Sequence, residues 1–197
     1  MFHSARWNHD YDLTGKRVAV IGTGASAIQF VPQIQPKVKE LFVFQRTAPW
    51  VLPKPDRPFH QFEQALFKKL PLWDRLYRGL IYWKNESRAL AFTRFSWILD
   101  LFAHQARKEA RRWVTDPDKL HHLIPDYRIG CKRILISNDW YRAVNQPHAN
   151  LLTDGIARID ETGIVSETGE HRPADIIIFG TGVRAREFLS PITLARR

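Results

Sequence analysis

The apolar run Val18-Ala19-Val20-Ile21 ends in Gly22-Thr23-Gly24-Ala25-Ser26-Ala27, and Ile28-Gln29-Phe30-Val31 continues with helical character. Strand, tight glycine turn and helix start, in that order, make the form in which an α/β fold holds a pyrophosphate. Gly22 permits the turn, Gly24 lets the backbone approach the phosphates, and Ala27 is small enough for the helix to pack on its strand. The first turn of a helix offers unpaired N–H groups and a partial positive charge to an anion. A glycine turn can also join any strand to any helix, so the flanking elements carry the argument.

A second apolar run, Leu41-Phe42-Val43-Phe44, ends in Gln45-Arg46-Thr47. In a nucleotide-binding unit the end of the second strand lies beside the adenosine ribose, where an acidic residue accepts from the 2′-hydroxyl of NAD. Arg46 stands there instead, 24 residues after Gly22. A guanidinium suits a 2′-phosphate, to which it presents two parallel donors, so the sequence predicts NADP rather than NAD. The plainer reading is a solvated arginine closing a strand.

The single cysteine, Cys131, rules out an internal disulfide framework and fits a reducing compartment. Met1-Phe2-His3-Ser4-Ala5-Arg6 has no apolar core of a signal peptide, and the best candidate span, 89–103, is interrupted by Arg94 and Asp100. A cytoplasmic location without a transmembrane segment is therefore expected. An apolar fraction of 44% with twelve Phe and seven Trp excludes disorder. The net charge of +10 is concentrated, with eleven basic against five acidic residues over 59–114 and an even balance over 115–197. That pattern fits a phosphorylated cofactor and a basic helical surface, leaving weak peripheral membrane contact open; no nucleic-acid motif accompanies it.

The rest of the chain reads as follows. Residues 1–15 read as loop, and the four prolines between 48 and 58 as an irregular connection. Pro71 opens a helix over 72–83, and a longer helix follows Asn85. On that longer helix Thr93, Ser96, Asp100, His104, Arg107 and Arg111 form a polar stripe, and Phe95, Ile98, Leu99 and Phe102 pack. Segments 150–153, 155–159 and 164–166 read as an antiparallel meander, and Asp175-Ile176-Ile177-Ile178-Phe179 as a buried strand ending in Gly180-Thr181-Gly182. His121-His122 lacks further ligands at metal spacing, so no metal site is expected, and there is no Gly-x-Ser-x-Gly elbow for a hydrolase.

Taken together, these motifs resemble the type I Baeyer–Villiger monooxygenases of the flavin-containing monooxygenase superfamily. His3-Ser4-Ala5-Arg6-Trp7 matches the second half of their fingerprint, with Asn8 where Pro or Asp is usual. Trp7 separates this group from the N- and S-oxygenating relatives, which carry Tyr or Phe there. The glycine loop, Phe44-Gln45-Arg46-Thr47, Gly130-Cys131-Lys132-Arg133 and Asn138-Asp139-Trp140-Tyr141 also match. Tyr127-Arg128 departs from the usual Tyr-Pro, and Gly180-Thr181-Gly182-Val183 differs at two positions from the family's Ala-Thr-Gly-aromatic turn.

The resemblance implies a fold and a chemistry. The fold is α/β: a Rossmann-like NADP-binding domain with a helical insertion and a small antiparallel meander, part of a flavoprotein with two dinucleotide-binding domains. Residues 1–58 would be linker and first half of the NADP domain, 59–125 the insertion, and 126–197 the second half, returning toward an FAD domain. NADP would be held by Gly22, Thr23, Gly24, Ala25, Ser26, Ala27, Arg46, Thr47, Lys132 and Gly182. His3 and Trp7 would be the linker fingerprint, expected to fray in this chain. FAD would belong to the longer enzyme, where a C4a-peroxyflavin transfers one oxygen of O2 to a ketone or other oxygenatable small molecule. Arg133 would be the catalytic cation and Lys132 a contact to phosphate or ribose; read without the resemblance, the two are an ordinary solvated basic pair. The chain is accordingly expected to be a fragment inactive by itself. The alternatives are an N- or S-oxygenating enzyme and a catalytically inactive NADP-binding remnant.

Overall fold

A computed structural model describes residues 1–87 and 89–183; residues 184–197 of the expected second half of the NADP domain lie outside the described residues. The chain divides into two compact units, residues 1–48 with 139–183 and residues 49–138.

The first unit is built on a five-stranded parallel sheet of order β1-β10-β2-β3-β6. These strands are β1 (Phe2–His3), β10 (Ile176–Phe179), β2 (Arg17–Ile21), β3 (Glu40–Phe44) and β6 (Ala149–Leu152). Helix α1 (Ala27–Ile34) is the crossover from β2 to β3 and buries Ala27, Ile28, Val31 and Ile34. It packs with α7 (Trp140–Val144), whose Trp140 and Tyr141 are buried. The strands alternate as the pleat requires. Ala19, Phe42, Phe44 and Ile177 share a core with Ile164 and Ile156, and Val18, Val20, Leu41, Val43 and Ile178 are buried on the other side. Ile156 and Ile164 come from an antiparallel meander of β7 (Ile156–Ile159), β8 (Gly163–Ser166) and β9 (His171–Pro173).

Three expectations are corrected here. Residues 2–3 are strand rather than loop, because Phe2 and His3 pair with Ile178 and Phe179 and extend the sheet edge. The terminal fingerprint is ordered rather than frayed, since Trp7 packs edge-on against Phe2 and Phe30, each at 5.2 Å. Segment 149–152 joins the parallel sheet, with Phe42 opposite Asn150 and Phe44 opposite Leu152, and not the meander.

The second unit is helical, with α2 (Gln61–Lys69), α3 (Pro71–Glu86), α4 (Ala89–Thr93), α5 (Trp97–Trp113) and α6 (Pro117–Leu123). It starts before and ends after the stretch 59–125 because the two-residue strands β4 (Val51–Leu52) and β5 (Leu135–Ile136) pair within it. Pro71 occupies the first turn of α3, where a missing N–H is harmless. Asp116 caps α6 by accepting from the N–H groups of Asp118 and Lys119. The helix expected after Asn85 is two helices. The Thr93 hydroxyl donates to Ala89 O at 3.2 Å, and new turns start from Phe95 O and Ser96 O. Ser and Thr compete with the ladder in this way, which breaks the helix and leaves Phe95 exposed while Leu99 is buried. The core of this unit is Trp50, Ala91, Leu99, Ala103, Ala106 and Ile129, with Ile98 and Phe102 packed against it.

Candidate functional site

The candidate site lies at the carboxyl ends of β2, β3 and β10, where open parallel sheets bind ligands. After Ile21 the chain turns at Gly22, whose φ of +106° is a conformation L side chains rarely adopt. The Gly22 N–H donates to Phe44 O at 2.9 Å, tying the turn to the end of β3. The Gly180 N–H donates to Ile21 O at 2.9 Å, bringing the last turn alongside. A Cβ on Gly22 would stand 2.7 Å from Gly180 O, so the two glycines meet backbone to backbone. Ala27 completes this contact: its Cβ lies 3.5 Å from the position a Gly180 Cβ would take.

Gly24 differs. Its φ is not positive, it is exposed, and the nearest atom to an added Cβ is Gly180 O at 4.0 Å. Nothing in the described residues requires glycine there, so the bare backbone faces outward. Ser26 makes no side-chain cap, and the N–H groups of Gly24, Ala25, Ser26 and Ala27 have no acceptor among the described residues. This run of unpaired donors at the start of an eight-residue helix is a cradle for an anion, so the residues present fit a dinucleotide pyrophosphate.

Thr23 faces inward. It is 7% exposed, and its hydroxyl donates to Thr47 O at 3.4 Å, fastening the glycine turn to the loop after β3. Its part toward a ligand is therefore through backbone or loop position. Arg46, on that same loop, is exposed and has no hydrogen-bond or ion-pair partner among the described residues. Gly182 follows β10 with a φ of +97°, and among the described residues no atom lies within 4 Å of the place its Cβ would take. His3 accepts from Ala5 N–H through Nδ1 at 3.1 Å, so the neutral ring carries its hydrogen on Nε2.

At the opposite end of the sheet, Arg17 grips Asp175 through Nη2 and Nε of its guanidinium, at 2.7 and 3.2 Å, and with its own backbone N–H at 2.8 Å. The Arg17 guanidinium, then that N–H, hold the Asp175 carboxyl down at about 2. This clasp joins the first residue of β2 to the residue before β10.

Lys132 and Arg133 belong to the second unit. Both are exposed; the Lys132 ammonium lies over the Tyr127 ring at 4.6 Å, and Arg133 has no ion-pair partner among the described residues. Burial raises the Tyr127 hydroxyl above its ordinary value. Gly130 adopts a φ of +97°, and the space a Cβ would need is filled by Phe92 at 2.9 Å. Asn138 clasps the backbone of Lys54, accepting from its N–H at 2.8 Å and donating to its carbonyl at 3.1 Å.

The sequence marks Gly180-Thr181-Gly182 as a second close approach of backbone after an apolar strand, and the structure supplies the partner it does not name, Gly22. Sequence reasoning missed Trp50, a lone aromatic in a proline-rich connection.

The first unit is thus a Rossmann-like dinucleotide-binding fold. No family model matches the chain. A Baeyer–Villiger monooxygenase of Pseudomonas aeruginosa is 48% identical over 187 residues, which is 95% of this chain and 36% of that protein. Among solved structures, an oxidized steroid monooxygenase bound to NADP superposes with a TM-score of 0.73 at 32% identity, over 91% of this chain and 41% of that one. OTEMO in complex with FAD and NADP superposes with a TM-score of 0.73 at 26% identity, over 93% and 42%. The chain is homologous to the Baeyer–Villiger monooxygenases of the flavin monooxygenase superfamily, and spans about a third of the length of the curated relatives it matches. No helix among the described residues is long and apolar enough to cross a membrane.

Proposed function

We propose that this chain provides the NADP-holding part of an NADPH- and FAD-dependent Baeyer–Villiger monooxygenase of the cytoplasm. The single observation that carries this is the uncapped start of α1 beneath an outward-facing Gly24, with Arg46, which has no partner among the described residues, on the loop that Thr23 fastens to it. NADPH and FAD, when bound, supply the hydride and the O2 chemistry that protein side chains cannot.

The chain's own residues bind and orient. The N–H groups of Gly24 to Ala27 hold the pyrophosphate, with Gly22 fixing the turn that aims them. Arg46 reads the 2′-phosphate with its fork of donors, and Thr47 and Gly182 border the same end of the sheet. Lys132 neutralises phosphate or ribose-side charge. Arg133 presents a fixed cation to the negative charge that develops on oxygen as it is transferred to the ketone carbonyl. A guanidinium suits this because it does not give up its proton to a basic oxygen. Trp7, seated between Phe2 and Phe30 of α1, couples the terminal fingerprint with His3 to the phosphate-binding helix.

The gene product as it occurs in its own cell, supplied with NADPH and a panel of cyclic ketones, is expected to consume NADPH and release lactones one oxygen heavier. Turnover of thioethers or amines with ketones untouched would make it an N- or S-oxygenating enzyme. NADP+ binding without any consumption of NADPH would make it an inactive remnant.

A second reading concerns the helical unit. Leu72, Leu76, Leu80 and Trp83 form an exposed apolar stripe along α3, with Arg75, Arg78 and Lys84 also exposed on that helix. This arrangement favours weak contact with an anionic bilayer surface. Co-sedimentation with phosphatidylserine vesicles, abolished by Leu76→Glu, supports it; equal pelleting of both proteins refutes it.

A further inference from the structure

Lys132 and Arg133 sit on a loop with no regular structure between Tyr127 and Leu135, yet their proposed work needs a fixed position. One residue closes both ends of that loop. Trp50, 2% exposed, donates its indole N–H to Tyr127 O at 3.0 Å, while its own carbonyl accepts from Leu135 N–H at 2.8 Å. The indole is held in turn. Its ring carries the Arg107 guanidinium at 5.1 Å and packs in the core with Leu99, Ala103 and Ile129. The loop interior is braced from the same core. Cys131 N–H closes a turn onto Arg128 O at 3.2 Å, Phe92 fills the space above Gly130, and Lys132 is seated on the Tyr127 ring.

We infer that Trp50 is a positioning residue that sets the Lys132-Arg133 loop through its indole N–H on the Tyr127 carbonyl, and that this hydrogen bond tunes how Lys132 meets NADP. The inference rests on the reading of Lys132 as a cofactor contact. The backbone half of the bracket survives any substitution; the indole half does not. Phenylalanine keeps an aromatic ring in the core, removes the donor and is smaller than the indole, and the Lys132→Ala background separates the loss of packing from the loss of the hydrogen bond.

The experiment has two readouts on the 197-residue chain. Cys131 is its only cysteine, lies inside the loop and is exposed, so a nitroxide attached there reports loop order directly. Trp50→Phe is expected to convert the immobilised spectral component to a mobile one, whereas Trp83→Phe, on the exposed side of α3, leaves it unchanged. In unlabelled protein, Trp50→Phe should raise the Kd for NADP+ about threefold to tenfold, the range of one neutral hydrogen bond. In the Lys132→Ala background the same change should add less than about twofold, because the effect runs through Lys132; a merely structural loss would multiply instead. Unchanged nitroxide mobility in Trp50→Phe overturns the inference. So does a loosened loop whose effect on NADP+ is absent, or additive with Lys132→Ala, when Lys132→Ala itself weakens binding. A loosened loop with neither variant affecting NADP+ shows that Trp50 sets the loop and that the reading of Lys132 is what fails.

Discussion

Gly22 and Gly24, two residues apart in one motif, should fail in opposite ways when given a methyl group. At Gly22 the φ of +106° costs an L residue about 1–3 kcal/mol. The added Cβ meets Gly180 O at 2.7 Å, a backbone atom of the residue whose N–H donates to Ile21 O, and overpacking of that kind costs about 1–3 kcal/mol more. Gly22→Ala should therefore lose about 2–6 kcal/mol, a large part of a domain stability that is typically about 5–15 kcal/mol. At Gly24 the φ is ordinary and the nearest atom is 4.0 Å away, so Gly24→Ala should change stability by less than about 0.5 kcal/mol. Its methyl group stands instead where a phosphate must come close. Crowding of about 1–3 kcal/mol there raises the Kd for NADP+ by roughly five- to 150-fold. Urea denaturation and calorimetric NADP+ titration of both variants measure the two effects separately. If Gly24→Ala binds NADP+ as tightly as the parent, or costs as much stability as Gly22→Ala, the assignment of one glycine to the fold and the other to the ligand is refuted.

Other consequences can be checked independently. Asp175 has a folded pKa of about 2 against an ordinary 3.8, so its clasp with Arg17 adds stability above about pH 4 and loses it as pH falls toward 2. Asp175→Asn should lower the urea midpoint at pH 7 and flatten its dependence across that acid window, with no change in slope between pH 6 and 8. Trp7→Ala should cost about 2 kcal/mol through lost contact with Phe2 and Phe30, and should deprotect the amides of β1 in hydrogen exchange; parent-like protection would show that the Trp7 ring does not hold that edge. Gly130→Ala should destabilise the second unit by about 1–3 kcal/mol, because its φ is +97° and Phe92 occupies the methyl position; an unchanged thermal midpoint would contradict this.

The β2–α1–β3 core was legible because its signals are local: an apolar strand, a glycine turn, a small residue at the helix start and a second strand ending in Arg46. The pairing of Gly22 with Gly180 was not, since the partner lies 158 residues away and no periodicity links the two. The same holds for β1 and β6, short strands whose place is decided by which edge of the sheet remains open. Ala149–Leu152 carries no mark telling a parallel edge from a meander, and its neighbours 156–166 do form one. The break between α4 and α5 was written in Thr93 and Ser96, but spacing by threes and fours let both pass as members of a polar stripe. Trp50 was hidden for another reason: one aromatic residue among four prolines gives no pattern, and its role appears only once Tyr127 and Leu135 are folded onto it.

The central claim is that unpaired amides at the Gly24–Ala27 start of α1 hold a dinucleotide whose 2′-phosphate is recognised by Arg46. Calorimetric titration of the chain with NADP+ and NAD+, repeated on Arg46→Ala, tests it most directly. Charge-assisted hydrogen bonds contribute about 1.5–3 kcal/mol, so NADP+ should bind roughly ten- to 150-fold more tightly than NAD+, and Arg46→Ala should erase the difference without weakening NAD+. Equal affinity for the two coenzymes, or a preference that survives the loss of Arg46, would contradict the account.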